Sequence, residues 1–203
     1  MVLATRRNEL LIFQCPNQPS ISSPAATGAG KTTFAKEFLP SIGVVRFLNA
    51  DEIARGLSPL QPEIVAFKAG RLFLSELREL TDRHETFALE STLSGRTYVK
   101  IFEEAKQRGY EIELHFVWIP DVREAIRRVR QRVIEGEHDV PVDDIRRRFA
   151  RSSEHLLDDY VPLANKWFLW DNSTPPAKLL AESTSQSIIQ LRAFLSFHEE
   201  KSA

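Results

Sequence analysis

The 203-residue chain has a single cysteine, Cys15, so no internal disulfide can form and a reducing compartment suits it. No cluster of groups that would activate a thiolate surrounds Cys15, and it reads as structural. Neither sign of charge is in excess. Against 28 acidic residues stand 27 Lys and Arg, and the net charge of −1 excludes the basic footprint of a nucleic-acid binder. Long apolar runs are missing too. The run Leu10 to Phe13, after Arg6-Arg7, is too short for a signal-peptide core, and no stretch nears the roughly 20 apolar residues of a membrane span. These absences lead us to expect a cytoplasmic protein that engages neither nucleic acid nor membrane.

What is present is a globular composition, with 42% hydrophobic and 27% charged residues. Its length suits one domain over residues 1–203, with a core over about 19–175 and a helical tail over 177–203. Apolar runs at Val44–Leu48, Thr86–Glu90, Glu111–Ile119 and Trp167–Trp170 read as buried strands. Helical spacing links Phe67, Leu72, Phe73, Leu77 and Leu80. It also links Val122, Ile126, Val129 and Val133, and then Ile145, Phe149 and Leu156. This alternation predicts an α/β fold of three layers, with a mostly parallel central sheet of about five strands and helices on both faces.

One segment carries a recognisable chemistry. In Gly28-Ala29-Gly30-Lys31-Thr32-Thr33, a glycine turn offers backbone N–H groups to phosphates and Lys31 reaches the terminal phosphates. Thr32 can ligate Mg²⁺, and the helix that follows points its positive end at the anion. This is the half of a P-loop that does the binding, and it implies ATP and Mg²⁺. The approach to it is irregular. Ala25 stands where the full pattern has glycine, and Ser20-Ile21-Ser22-Ser23-Pro24 makes a poor strand because proline has no N–H to give a ladder. The better strand, Leu10 to Phe13, lies far upstream. A long insertion, a tolerated weak strand, or a compensated frameshift over residues 14–27 would each account for this.

Further ordered segments accompany the loop: Phe47-Leu48-Asn49-Ala50-Asp51-Glu52, then Phe87-Ala88-Leu89-Glu90-Ser91-Thr92-Leu93-Ser94-Gly95-Arg96. Arg132 to Pro141, an arginine-rich helix and Asp171-Asn172-Ser173 follow. Together the set resembles the zeta-toxin family of P-loop kinases. The resemblance implies a P-loop kinase sheet with a basic lid, and transfer of phosphate from ATP to a sugar hydroxyl of UDP-N-acetylglucosamine. It also implies an antitoxin protein as a possible partner, an aspartate base at Asp51, and substrate contacts at Thr92 and Arg96.

The residues themselves agree in part. Asp51 opens a helix after a strand, where a carboxylate can orient or deprotonate an attacking hydroxyl; a plain helix cap is the alternative. Glu90 ends a buried strand, so it needs a partner, which could be substrate, Mg²⁺ or a structural cation. Thr92 and Arg96 could equally serve the turn. On the helix at 121–135, Arg127 lies opposite the apolar stripe, while Arg128 and Arg132 flank it; Arg148 flanks the next stripe and Arg147 faces away. Arg132 and Arg148 are therefore the expected transition-state arginines, beside a lid segment, Glu135 to Pro141, that holds His138. Two other readings stay open: a kinase for another small metabolite or antibiotic, and a nucleotide-binding or interaction protein whose catalysis is impaired by the altered loop approach.

Overall fold

The computed structural model describes residues 8–14, 35, 38–40, 42–91, 96, 98–119, 121–134, 141–174 and 177–200, with backbone alone at 8–14, 132, 148, 150 and 198–200. Strands β1 (Asn8–Gln14), β2 (Phe47–Leu48), β3 (Phe87–Ser91), β4 (Glu111–Trp118), β5 (Lys166–Asp171) and β6 (Lys178–Glu182) form one six-stranded sheet in the order β2-β3-β1-β4-β5-β6. The helices are α1 (Ala50–Leu57), α2 (Ala66–Asp82), α3 (Val99–Gln107), α4 (Val122–Ile134), α5 (Val142–His155) and α6 (Ile188–Glu200).

The apolar runs become strands because they are buried on both faces. After an exposed Glu111, every residue of β4 is buried, and Phe87, Ala88 and Leu89 of β3 are wholly inaccessible. Helix α2 buries Ala69, Phe73, Leu77 and Leu80 at helical spacing. Helix α3, which the apolar pattern did not announce, buries Phe102 and Ala105 and stops before Gly109, whose φ of +87° suits glycine past a helix end.

The sheet is not mostly parallel. Parallel pairing holds for β2 with β3 and for β4 with β5. The central strand β1 is antiparallel to both neighbours, with Phe13 opposite Phe87 and Gln14 opposite Glu111. It therefore ends at the edge where β3 and β4 begin. The physical reason lies in the approach to the glycine loop. The serine- and proline-bearing run 20–24 is a poor ladder strand, and the apolar run Leu10–Phe13 occupies the slot from the other direction. The expected tail helix also needs correction: residues 178–182 pair antiparallel with β5, and helix resumes only at Ile188.

One face of the sheet carries the larger core, with Phe73 and Leu77 of α2, Phe102 of α3 and Leu191 of α6 packed on Leu89, Leu114 and Leu169. The other face receives the helical residues Ala35, Phe38 and Leu39, which follow the glycine loop, against Ala88, Val117, Phe168 and Trp170. A third, separate cluster joins α4 to α5 through Ala125, Ile126 and Val129 against Ile145 and Phe149.

Beneath Phe38 lies a buried polar group. The His115 ring is stacked on Phe168 at 4.6 Å and tilted against Phe38 at 5.0 Å. Trp170 Nε1 donates to its Nδ1 at 3.2 Å, so Nε2 carries the proton. Nε2 faces Glu113 Oε2 at 3.9 Å, long for a hydrogen bond though close enough to act on its charge, and it has no hydrogen-bond partner among the described residues. Burial holds the His115 pKa below its ordinary value. Burial also pushes the Glu113 carboxyl up, but His115 and the Lys166 ammonium, 2.8 Å from Oε1, outweigh it and leave Glu113 below the usual carboxylate range.

Two outcomes follow from this face. Phe38→Ala removes the ring that seats the post-loop helix on His115 and Trp170, and should cost about 3 kcal/mol in urea unfolding. The unfolded His115 takes up a proton near pH 6.5 where the folded one resists it, so stability falls as pH drops below about 6.5. Unfolding midpoints measured from pH 8 to 5 should show that decline, and His115→Gln should flatten it.

Candidate functional site

The carboxyl ends of β2 and β3 lie side by side because Leu48 and Leu89 are in register. In an open α/β sheet this edge is where ligands bind. The next residues, Asn49 and Glu90, meet directly: Asn49 Nδ2 donates to Glu90 Oε2 at 2.9 Å. The same Asn49 side chain caps α1, its Oδ1 accepting from the N–H of Asp51 at 2.8 Å and of Glu52 at 3.2 Å. Only 8% exposed, Asn49 ties a helix start to a strand end.

Asp51 is therefore not the helix cap. It is the second residue of α1, half-buried at the positive end of the helix, where a carboxylate is favoured. Tyr98 reports its position. Burial first, and the negative charge of Asp51 in addition, push the Tyr98 phenol up, against a hydrogen bond with the Ser91 side chain. The Tyr98 ring is held by Phe73 at 5.9 Å and Phe102 at 6.4 Å. Asn49, Asp51, Glu90, Ser91 and Tyr98 thus form one polar cluster at the strand ends. The chemistry it offers is that of oxygen: two carboxylates and two hydroxyls, able to bind an acceptor hydroxyl or a hard cation.

The sequence singled out Asp51 and Glu90 and missed Asn49 and Tyr98. Asn49 had a legible signal, since Asn-Ala-Asp-Glu has the spacing of a capping box. Tyr98 had none; it is brought in by packing.

Other expected residues fall elsewhere. Arg96 pairs with Asp159 at 2.8 Å, and the other oxygen of Asp159 lies 2.7 Å from His155 Nδ1. That places Arg96 against a π-helical turn, Leu156–Tyr160, rather than in the carboxylate cluster. Arg127 is 70% exposed and forks onto Glu124, as its position opposite the stripe predicts. Arg128 does reach inward. It donates to the carbonyls of Asn172 at 2.7 Å and Ser173 at 3.0 Å and to Glu124 at 2.7 Å, so it clamps α4 to the end of β5. Hydrogen bonds from Arg127, and then from Arg128, bring the Glu124 carboxyl down to about 2 despite some burial. Arg132 and Arg148 lie on α4 and α5, where their side chains fall outside the described residues. Gly28, Ala29, Gly30, Lys31, Thr32 and Thr33 also lie outside them, as do Thr92 and His138. Among the described residues, no three His, Cys, Asp or Glu side chains converge on a metal position. No described helix is long and apolar enough to cross a membrane.

No family model matches the chain. An uncharacterized protein of Haemophilus influenzae is 28% identical over 122 residues, covering 60% of this chain and 86% of that one. Among solved structures, the chain is similar to one from the PezAT chromosomal toxin-antitoxin system of Streptococcus pneumoniae. The TM-score is 0.58 at 16% identity, over 91% of this chain and 88% of the other. At that identity the likeness is one of fold.

If Asn49 joins α1 to β3, Asn49→Ala should lose both the cap and the donor to Glu90, a cost of about 1 kcal/mol for the cap alone. Asn49→Asp keeps the cap acceptor but sets a second carboxylate beside Glu90. In thermal melts at pH 7 it should fall between wild type and Asn49→Ala.

Proposed function

We propose that this chain is a zeta-toxin-like P-loop kinase, which binds ATP with Mg²⁺ and phosphorylates a hydroxyl of a nucleotide sugar, UDP-N-acetylglucosamine being the first acceptor to test. The observation that carries this reading is at the ends of β2 and β3, where the Asn49 side chain hydrogen-bonds both the Glu90 carboxylate and the backbone N–H of Asp51 and so holds the two acids at one edge of the sheet. The strand order and the fold likeness to a chain of a toxin-antitoxin system support it.

The roles divide by chemistry. The Gly28–Thr33 backbone and Lys31 would hold the ATP phosphates. Asp51 takes the proton of the acceptor hydroxyl as that oxygen bonds the γ-phosphorus; the bond from the γ-phosphorus to the bridging oxygen breaks, and ADP leaves. Thr32 and Glu90 would hold Mg²⁺, which neutralises phosphate charge when bound; their oxygen-only donors suit a cation that takes one or two carboxylates and fills its shell with water and phosphate. Arg132 and Arg148 would stabilise charge on the transferring group, and Thr92 and Arg96 would contact the sugar nucleotide. An antitoxin protein and a cytoplasmic setting belong to the same reading.

One observation favours a second reading. In a working P-loop the strand leads straight into the glycine turn. Here β1 runs against β3 and β4 and ends at the opposite edge, with residues 15–34 between it and Ala35. With Ala25 in the loop, that supports a nucleotide-sensing or partner-binding module without transfer.

Calorimetric titration of the full chain with Mg-ATP and an assay of transfer together separate the two: the kinase reading expects binding and transfer, binding without transfer to any acceptor favours a nucleotide-sensing module, and an absence of heat favours a partner-binding one. ADP release should then rise on adding UDP-N-acetylglucosamine. Asp51→Asn should keep ATP binding and lower transfer by at least about a hundredfold; undiminished transfer would remove Asp51 as the base. A panel of other small acceptors should show no higher rate.

A further inference from the structure

Strand β2 is the outer strand of the sheet, and among the described residues no strand pairs with its free side. The Ala88 N–H donates to the Arg46 carbonyl at 2.8 Å, and Phe47 stands opposite Ala88. In a parallel pair that register turns the backbone groups of Arg46 and Leu48 toward β3. Those of Val45 and Phe47 therefore point out of the sheet, where they meet no partner among the described residues. Sheet edges are commonly blunted by a charge, a proline or a covering segment. Here Val45 is 84% exposed, and the neighbouring charge, Arg46, is engaged with Glu85 at 3.4 Å.

The free side is walled. Between β2 and α2 lies a groove of about 570 Å³. Leu72, Glu76 and Glu79 form its helical wall, at steps of four and three along one flank of α2, and Leu48 and Ile53 add apolar surface. Glu79 already pairs with Arg83 at 2.6 Å. Glu76 is half-buried and has no ion pair among the described residues. A half-buried carboxylate without a cation is costly to keep charged.

We propose that this groove takes an extended, basic segment of a partner protein, added to β2 as a further strand, with a lysine or arginine reaching Glu76. Each wall selects one part of that chemistry. The outward N–H and C=O groups of Val45 and Phe47 recur at strand spacing, which fits an extended backbone and no other. Every second side chain of the added strand then enters on the α2 side. A lysine there lays its methylenes along Leu48, Ile53 and Leu72 and sets its ammonium at Glu76. None of these residues belongs to the phosphate loop or the carboxylate cluster, so the docking stands or falls apart from the kinase reading.

Fluorescence anisotropy with the full chain tests this. The probe is a labelled, end-capped peptide with a central lysine, valine two positions to either side and threonine between. Binding should saturate. Glutamate in place of the lysine should weaken it at least about tenfold, and Glu76→Lys should reverse the preference between the two peptides. N-methylation of alternate peptide amides separates strand addition from attraction of charge alone and needs no altered protein. Methylating one alternate set should abolish binding and methylating the other should leave it, because an added strand turns only one of its edges to β2. No saturable binding, equal tolerance of both methylated sets, or a Glu76→Lys variant that still prefers lysine would each overturn the proposal.

Discussion

The inner edges of β3 and β4 present backbone N–H and C=O groups in the middle of a sheet whose residues, Leu89 and Leu114 among them, are sealed from water. Unpaired, each such group would carry the full cost of desolvation. A strand must therefore fill the slot between them, and everything else in the sheet is arranged around that demand. Chain direction is a weaker requirement, because both parallel and antiparallel ladders satisfy the backbone. The apolar segment Asn8–Gln14 meets the demand antiparallel, so the sheet keeps its strand order while its centre reverses. The same physics that secures the fold separates the central strand from the glycine loop.

The carboxylate cluster, by contrast, depends on a parallel pair. Only because β2 and β3 run together do Asn49 and Glu90 leave the sheet at the same edge. Asn49 then spends its amide group on Glu90 and its carbonyl oxygen on α1, fixing Asp51 relative to Glu90 through a single short side chain. A longer residue at that position would bring flexibility into the joint between them.

The strands β3, β4 and β5 were legible because continuous apolar runs have few other uses. β6 was not: Lys-Leu-Leu-Ala-Glu consists of good helix formers, and pairing with β5 overrides their propensity. That Leu10–Phe13 forms a strand could be read, but its central place and its direction could not, since a ladder leaves no mark of slot or orientation on an apolar run. Helix α2 shows the limit of periodicity. Its pattern contained Phe67 and Leu72, yet at about 100° per residue both stand well around the helix from Phe73, off the narrower stripe of Ala69, Phe73, Leu77 and Leu80 that the core covers. At the site, Asp51 and Glu90 could be found as acids after apolar runs. That Asn49 couples them follows only from the register of two strands.

The clamp formed by Arg128 has a mechanical side. Helices α4 and α5 share a small core of their own, distinct from the two that flank the sheet. At one end, α5 runs into Leu156 and Tyr160, which are sunk in the main core; at the other, α4 is fastened to the end of β5 by the Arg128 guanidinium. Among the described residues, the pair is thus built like a boom with a deep apolar pivot at Leu156 and Tyr160 and a polar stay at Arg128. The two holds differ in kind: water can replace the hydrogen bonds of the stay, but not the buried hydrocarbon of the pivot.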